Sequence, residues 1–231
     1  MELVKYNNEL NELRLKNFTP VELDILMVIC SKIKNSGSSE VILDLNEMKK
    51  LIGYNKNGKT VFIEKVIEMN TKLQQLQCRI ETKEYYMQFV LFTCFKVMKD
   101  ESKLIIKINP EFVYLLNNFS NGCWTKFSLE EFVSISSKYA KNIFRCLRQY
   151  KSQGWWKVSL DEFRVKLDIP DKYESRRITD KIIRPAIKEL ESLNLFNSLS
   201  VSPVLAARQG HALEGYLFEF EFSGKEKSVL D

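Results

Sequence analysis

Apolar residues recur at three- and four-residue steps along several stretches of the chain, the spacing of helices that bury one face. The first follows Thr19-Pro20: Thr as N-cap, Pro in the first turn, then VELDILMVICSKIK. The stretch NSGSSE breaks it. EVILDL then reads as a short strand and NEMKKLIGY as a short amphipathic helix before the polar turn NKNG. From Lys59 onward, Phe62, Val66, Met69, Leu73 and Leu76 form a second helical stripe. CRIETKE, YYMQFVLFTCFKVM and KLIIKINP follow as three β-rich runs, and PEFVYLLNN as a short helix behind a proline. Asn121-Gly122, within FSNGCW, marks the expected boundary.

The second half repeats the order. SLEEFVSI and SKYAKNIFRCLRQYKSQ read as helix, stopped by Gly154, and Trp155 to Val158 as a short strand. SLDEFRVKLDI is a short helix with Ser159 as cap and Glu162 at the capping-box position. After the turn IPDKY comes the longer helix SRRITDKIIRPAIKELESLN; LFNSLSVSPVL and GYLFEFEF then flank the loop AARQGHALE as a hairpin. Each half therefore runs helix, strand, short helix, turn, longer helix, hairpin. That is the plan of a winged helix-turn-helix. The expected fold is α+β, two tandem winged helix-turn-helix domains at 1–121 and 122–231.

Composition narrows the chemistry. The 231 residues are 45% hydrophobic and 28% charged, with 8 Gly and 5 Pro, which suits one large or two small folded domains. No apolar run approaches the ~20 residues of a membrane helix, and MELVKYNNELNELRLKNF is no secretory signal. A cytoplasmic protein without membrane contact is expected. The five cysteines (Cys30, Cys78, Cys94, Cys123, Cys146) form no C-x-x-C pair and lie in runs such as LMVIC and VLFTC, as reduced core residues do. His211, the single histidine, sits in QGHALEG. That set offers no zinc site and no nucleophile–histidine unit. No metal, cofactor or enzymatic activity is expected.

Charge points to a polyanion. The net charge is +5, yet Lys138 to Lys188 holds 14 basic and 6 acidic residues, leaving 21 basic and 24 acidic elsewhere. Phosphate neutralisation supplies most nonspecific nucleic-acid affinity. In the long helix, Ile178, Ile182, Ala186, Leu190 and Leu193 make an apolar stripe, while Arg177, Asp180, Lys181, Arg184 and Lys188 fall on the other face. A recognition helix needs an apolar back and long polar side chains at its N-terminal end. Ser175, Arg176, Arg177, Asp180, Lys181 and Arg184 are the candidate base-contacting residues: Arg donates two bonds to guanine, and an acid accepts from cytosine. Pro185 removes a helical donor and should bend the helix, leaving the segment before it to read bases. Lys138, Lys141 and Arg145 are expected to clamp phosphates from the preceding basic helix, and Arg208 to reach the backbone or minor groove from the hairpin tip. Trp155 and Trp156 are expected in the core rather than as a stacking platform.

Gly53 to Thr60, GYNKNGKT, matches the literal P-loop pattern. A P-loop is entered from a buried strand, however, and NEMKKLI is a charged helical stretch. The turn of a helix-turn-helix accounts for the same residues, with Lys56, Lys59 and Lys65 near DNA phosphates.

The runs LRLKNFTPVELDILMVICSKIK, SSKYAKNIFRCLRQYKSQGWW, SLDEFRVKLDIPDKY and RPAIKELESLNLF resemble the Rep family of iteron-binding plasmid replication initiators, over roughly Leu13 to Phe222. The resemblance implies an N-terminal winged helix for dimerisation and secondary DNA contact, and a C-terminal one for the main major-groove contact. It implies binding of directly repeated origin sites in double-stranded DNA, origin opening, and recruitment of the host replication initiator and helicase. Repression of the protein's own gene as a homodimer is implied as well. The family's recognition segment falls on Ser175 to Arg184; which of Arg176, Arg177, Asp180 and Lys181 read bases stays open. A winged-helix transcriptional repressor is the alternative. A nicking initiator is disfavoured, since its His-hydrophobic-His metal motif needs more than one histidine.

Overall fold

The computed structural model describes residues 2–34, 36–55, 58–75, 78–81, 84, 86–117, 123–206 and 212–224, and not the side chains of 59, 78–81 and 87–89. The chain divides into two compact units, Met1–Val133 and Ser134–Asp231.

β1 (Leu3–Asn7) opens the first unit. α1 (Pro20–Ile33) starts at a full capping box, in which Thr19 accepts from the Glu22 amide and Glu22 accepts from the Thr19 amide. β2 (Val41–Asp44) runs straight into α2 (Leu45–Leu51). Asp44 caps that helix by accepting from Asn46 and Glu47 at 2.7 and 3.0 Å, bonds that hold its carboxyl below the ordinary range. α3 (Lys59–Gln74) buries Phe62, Val66, Met69 and Leu73, as the stripe requires; Leu76 lies outside the described residues. β3 (Cys78–Glu81) and β4 (Tyr86–Phe89) pair with each other. β5 (Phe92–Met98) and β6 (Lys103–Ile108) join β2 in an antiparallel sheet of order β2-β6-β5. α4 (Val113–Leu116), β7 (Trp124–Ser128) and α5 (Leu129–Ser134) follow.

β1 has no counterpart in the sequence reading. It pairs antiparallel with β7, Leu3 opposite Ser128 and Asn7 opposite Trp124. Val4 and Tyr6 are fully buried, and Asn11 links the Tyr6 hydroxyl to Thr125. This ladder holds 124–128 in the first unit, so the division between compact units falls after Val133, later than the break expected after Asn121. Asn121 and Gly122 themselves lie outside the described residues.

The second unit contains α6 (Lys138–Gln149), β8 (Trp155–Ser159), α7 (Leu160–Leu167), α8 (Ser175–Ile178), a π-helical turn (Thr179–Ile183), α9 (Arg184–Ser192), β9 (Phe196–Leu205) and β10 (Leu213–Phe222). Its sheet has the order β8-β10-β9. In both units, then, the strand before the helix-turn-helix pairs with the last strand of the hairpin, giving the α+β, tandem winged-helix plan. Trp156, Phe163, Tyr216 and Phe218 pack as an aromatic cluster with Trp156–Phe218 and Phe163–Tyr216 ring centres at 5.1 and 5.0 Å. Trp155 differs from expectation: strand alternation turns it outward, and it is 48% exposed. At Gly215, β10 runs so close to β8 that a Cβ would lie 2.1 Å from the Val158 carbonyl. Cys30 and Cys146 are buried as expected, whereas Cys94 is half-buried and Cys123 exposed.

Ion pairs join the helices of the first unit: Lys32 of α1 meets Glu47 of α2 at 2.7 Å, and a more buried pair ties α1 to α3. Glu22, with no exposed side-chain surface, receives Lys72 Nζ at 2.7 Å on both oxygens. Lys72 also donates to the Asn17 carbonyl at 2.9 Å. Lys72→Ala should strand a buried carboxylate and destabilise the chain toward the lower end of ~3–5 kcal/mol, because Lys72 itself is partly solvated. Urea unfolding measures this, and an unchanged midpoint would contradict it.

Candidate nucleic-acid interface

The candidate surface is built on the α8–π–α9 helix. Pro185 has no N–H for the Lys181 carbonyl. The chain answers with a π turn, in which the Arg184 N–H bonds to the Thr179 carbonyl. The departure from α geometry thus lies before Pro185, inside the segment expected to read bases, whereas the sequence predicts a bend at the proline itself. Ile178, Ile182, Ile183, Ala186 and Leu190 are all buried, while Leu193 is half-buried. Thr179 also bonds to Ser175 O at 3.2 Å and lies 3.3 Å from the Tyr216 hydroxyl. Burial raises the Tyr216 pKa, opposed by the bond to Thr179.

The opposite face is open and basic. Arg176, Arg177, Lys181 and Arg184 are exposed, and Ser175 and Asp180 are half-buried. Asp180 sits between two guanidiniums, 3.1 Å from Arg184 and 3.8 Å from Arg176. Arg177 lies over the Tyr173 ring with 4.1 Å between guanidinium carbon and ring centre. Tyr173 was missed by the sequence reading, although its spacing of four residues before Arg177 was available as a signal. Its carbonyl accepts from Arg164 of α7. All six candidate base-contacting residues therefore belong to one helix, four of them exposed.

The proposed phosphate clamps divide. Lys138 keeps 28% side-chain exposure, 3.7 Å from Asp168, and lies over Tyr139. Lys141 and Arg145 are corrected: they are 0% and 1% exposed. The basic face read on α6 is not a surface, because long aliphatic stems let Lys and Arg line a packed helix that is buried on every side. Arg145 Nε and Nη1 are buried with no hydrogen-bond partner among the described residues. Lys65 is half-buried on α3 and tied to Glu68 at 2.6 Å, a bond that raises its pKa. Lys56 and Arg208, with His211, lie outside the described residues, as does the side chain of Lys59.

GYNKNGKT begins at Gly53, whose φ of +61° follows the end of α2, and reaches the start of α3 through the N-cap Gly58. A helix leads into it, where a P-loop has a strand. Among the described residues there is no cluster of three or more metal-ligating side chains, and no helix is long and apolar enough to cross a membrane.

Comparison with known proteins agrees with this geometry. The family described as "Initiator Replication protein, WH1" matches residues 3–148, and "Initiator Rep protein, WH2" matches 159–220. The chain belongs to the initiator Rep protein family. Among relatives of this initiator Rep protein is the probable replication protein rep of Bifidobacterium longum (strain NCC 2705). It is 32% identical over 223 residues, which cover 95% of this chain and 72% of that protein. The crystal structure of the Pi initiator protein in complex with iteron DNA superposes with a TM-score of 0.73 over 96% of this chain and 98% of that one. At 14% identity that likeness speaks for the fold. In this initiator Rep protein, the WH1 match runs through α6, although α6 packs on α7, α9 and β8 of the second unit.

Arg145→Leu tests the corrected placement. Replacing a buried, unpaired guanidinium by an apolar side chain should leave the melting temperature unchanged or raise it. A loss of stability beyond about 2 kcal/mol would mean that Arg145 makes a bond the structure lacks.

Proposed function

We propose that this initiator Rep protein starts plasmid replication by binding directly repeated double-stranded origin sites through the exposed face of the α8–π–α9 helix. The observation that carries the reading is that face: Arg176, Arg177, Lys181 and Arg184 stand open along one side of a helix whose other side is core. This is the arrangement that major-groove reading needs. Membership in an initiator family and a fold shared with an initiator captured on iteron DNA support it. The base-contacting set is Ser175, Arg176, Arg177, Asp180, Lys181 and Arg184, and the phosphate-contacting set Lys138, Lys65, Lys56, Lys59 and Arg208.

In this reading the C-terminal winged helix makes the main contact, and the N-terminal one supplies dimerisation and a secondary DNA contact. Monomers on tandem repeats open adjacent duplex and recruit the host replication initiator and helicase. The homodimer occupies an inverted repeat and represses its own gene. The protein works in the cytoplasm by binding, without a catalytic step of its own.

Selection of bound sequences from random duplex DNA, then footprinting on single and tandem copies, tests this directly. Monomers on direct repeats with distortion of neighbouring AT-rich DNA are expected. Binding confined to an inverted repeat as a dimer would favour a repressor, and no enrichment at moderate salt would overturn the recognition helix. Arg177→Ala or Lys181→Ala should cut discrimination against scrambled DNA by about 1–3 kcal/mol where the lost contact is bidentate. Lys138→Ala should weaken binding to both DNAs alike and lower the salt slope by about one; a selective loss would move Lys138 among the base readers.

A further inference from the structure

We propose that Tyr173 is a positioning residue, and that Asp180 acts in the same way in place of the direct base contact given to it above. They set the directions of Arg176, Arg177 and Arg184, and so decide which sequence is chosen more than how tightly DNA is held. The inference rests on the reading of this helix as the DNA-binding surface.

An exposed arginine has a large rotamer freedom that is lost when it docks on a base edge, and restraining it beforehand lowers that loss. Each exposed arginine of this helix has a neighbour placed to restrain it. The Tyr173 ring supports Arg177 at 4.1 Å. The backbone that carries that ring is held from outside the recognition helix: Arg164 of α7 donates to the Tyr173 carbonyl, and the adjacent Phe163 is fully buried against Tyr216. Tyr216 in turn meets Thr179 of the π turn. The turn before the helix and the irregular turn within it are thus referred to the same aromatic core.

Asp180 forms an ion pair with Arg184 at 3.1 Å and a looser one with Arg176 at 3.8 Å, beyond hydrogen-bond reach. Its charge argues for direction over strength. A carboxylate in the middle of a basic face repels phosphate and lowers nonspecific affinity. Its compensating effect is geometric, because one carboxylate lies between Arg176 and Arg184 and biases both guanidiniums toward it. Such a pair is weak while exposed to water, so base edges can compete for the same donors.

The experiment uses the full chain, the duplex recovered by selection, and a scrambled duplex of equal length. Tyr173→Leu changes no charge. It should lower affinity for the selected duplex about two- to fivefold, the worth of an exposed cation–π contact, and leave scrambled-duplex affinity and salt slope unchanged. Tyr173→Phe keeps the ring and should restore selectivity. Asp180→Asn should strengthen binding to scrambled DNA while lowering the ratio, with preference relaxed at more than one base position. Equal losses on both duplexes for Tyr173→Leu, or relaxation at a single base for Asp180→Asn, would overturn the proposal. If wild type is selective and Tyr173→Leu matches it, the proposal alone falls; if wild type has no preference, the DNA-binding reading falls with it.

Discussion

Pro185 cannot give a hydrogen to the Lys181 carbonyl, and the second unit's long helix is organised around that missing bond. Apolar residues spaced at four drift by about 40° per step on a regular α-helix, so a stripe from Ile178 to Leu190 would wander by about 120°. The π turn at Thr179–Ile183 rotates the stripe back, and Ile182 and Ile183 both reach the core. The polar residues keep the outer face because the apolar ones have been brought inside. One absent donor thereby fixes the helix geometry, its packing on the core and the set of side chains offered outward.

Much of this was legible in the sequence because it depends on local rules. Thr19-Pro20, Ser159 and the spacing of Phe62, Val66, Met69 and Leu73 are signals carried by neighbouring residues, and they fixed helix starts and buried faces. What failed to show was of two kinds. β1 lies in a polar, charged stretch that does not read as a strand, and its partner lies more than a hundred residues away. The burial of Lys141 and Arg145 goes against residue type, since periodicity cannot tell an exposed basic face from one whose stems are packed. For the candidate interface, the helix and its outward residues followed from pattern. The Tyr173 and Arg164 contacts required the turn to be folded.

The two units share a strand order and differ in the chemistry of their second helix. On α3, Glu64 and Glu68 are exposed and Lys65 is engaged by Glu68. From Ser175 to Arg184 the corresponding helix of the second unit exposes Arg176, Arg177, Lys181 and Arg184, with the half-buried Asp180 among them. Repetition of a topology therefore need not repeat a surface: the buried positions that define the winged helix are separate from the outward ones that define its use.

The pairing of β1 with β7 also constrains the order in which the protein is made. Tyr6 must wait beside an incomplete core until Thr125 has left the ribosome, on the order of ten seconds at ordinary synthesis rates. During that interval Val4 and Tyr6 have no strand to close over them, although α1 to α3 and the β2-β6-β5 sheet are already available. The first unit is thus sealed last at its own beginning, and a nascent chain halted before β7 would carry an open apolar seam for chaperones to hold.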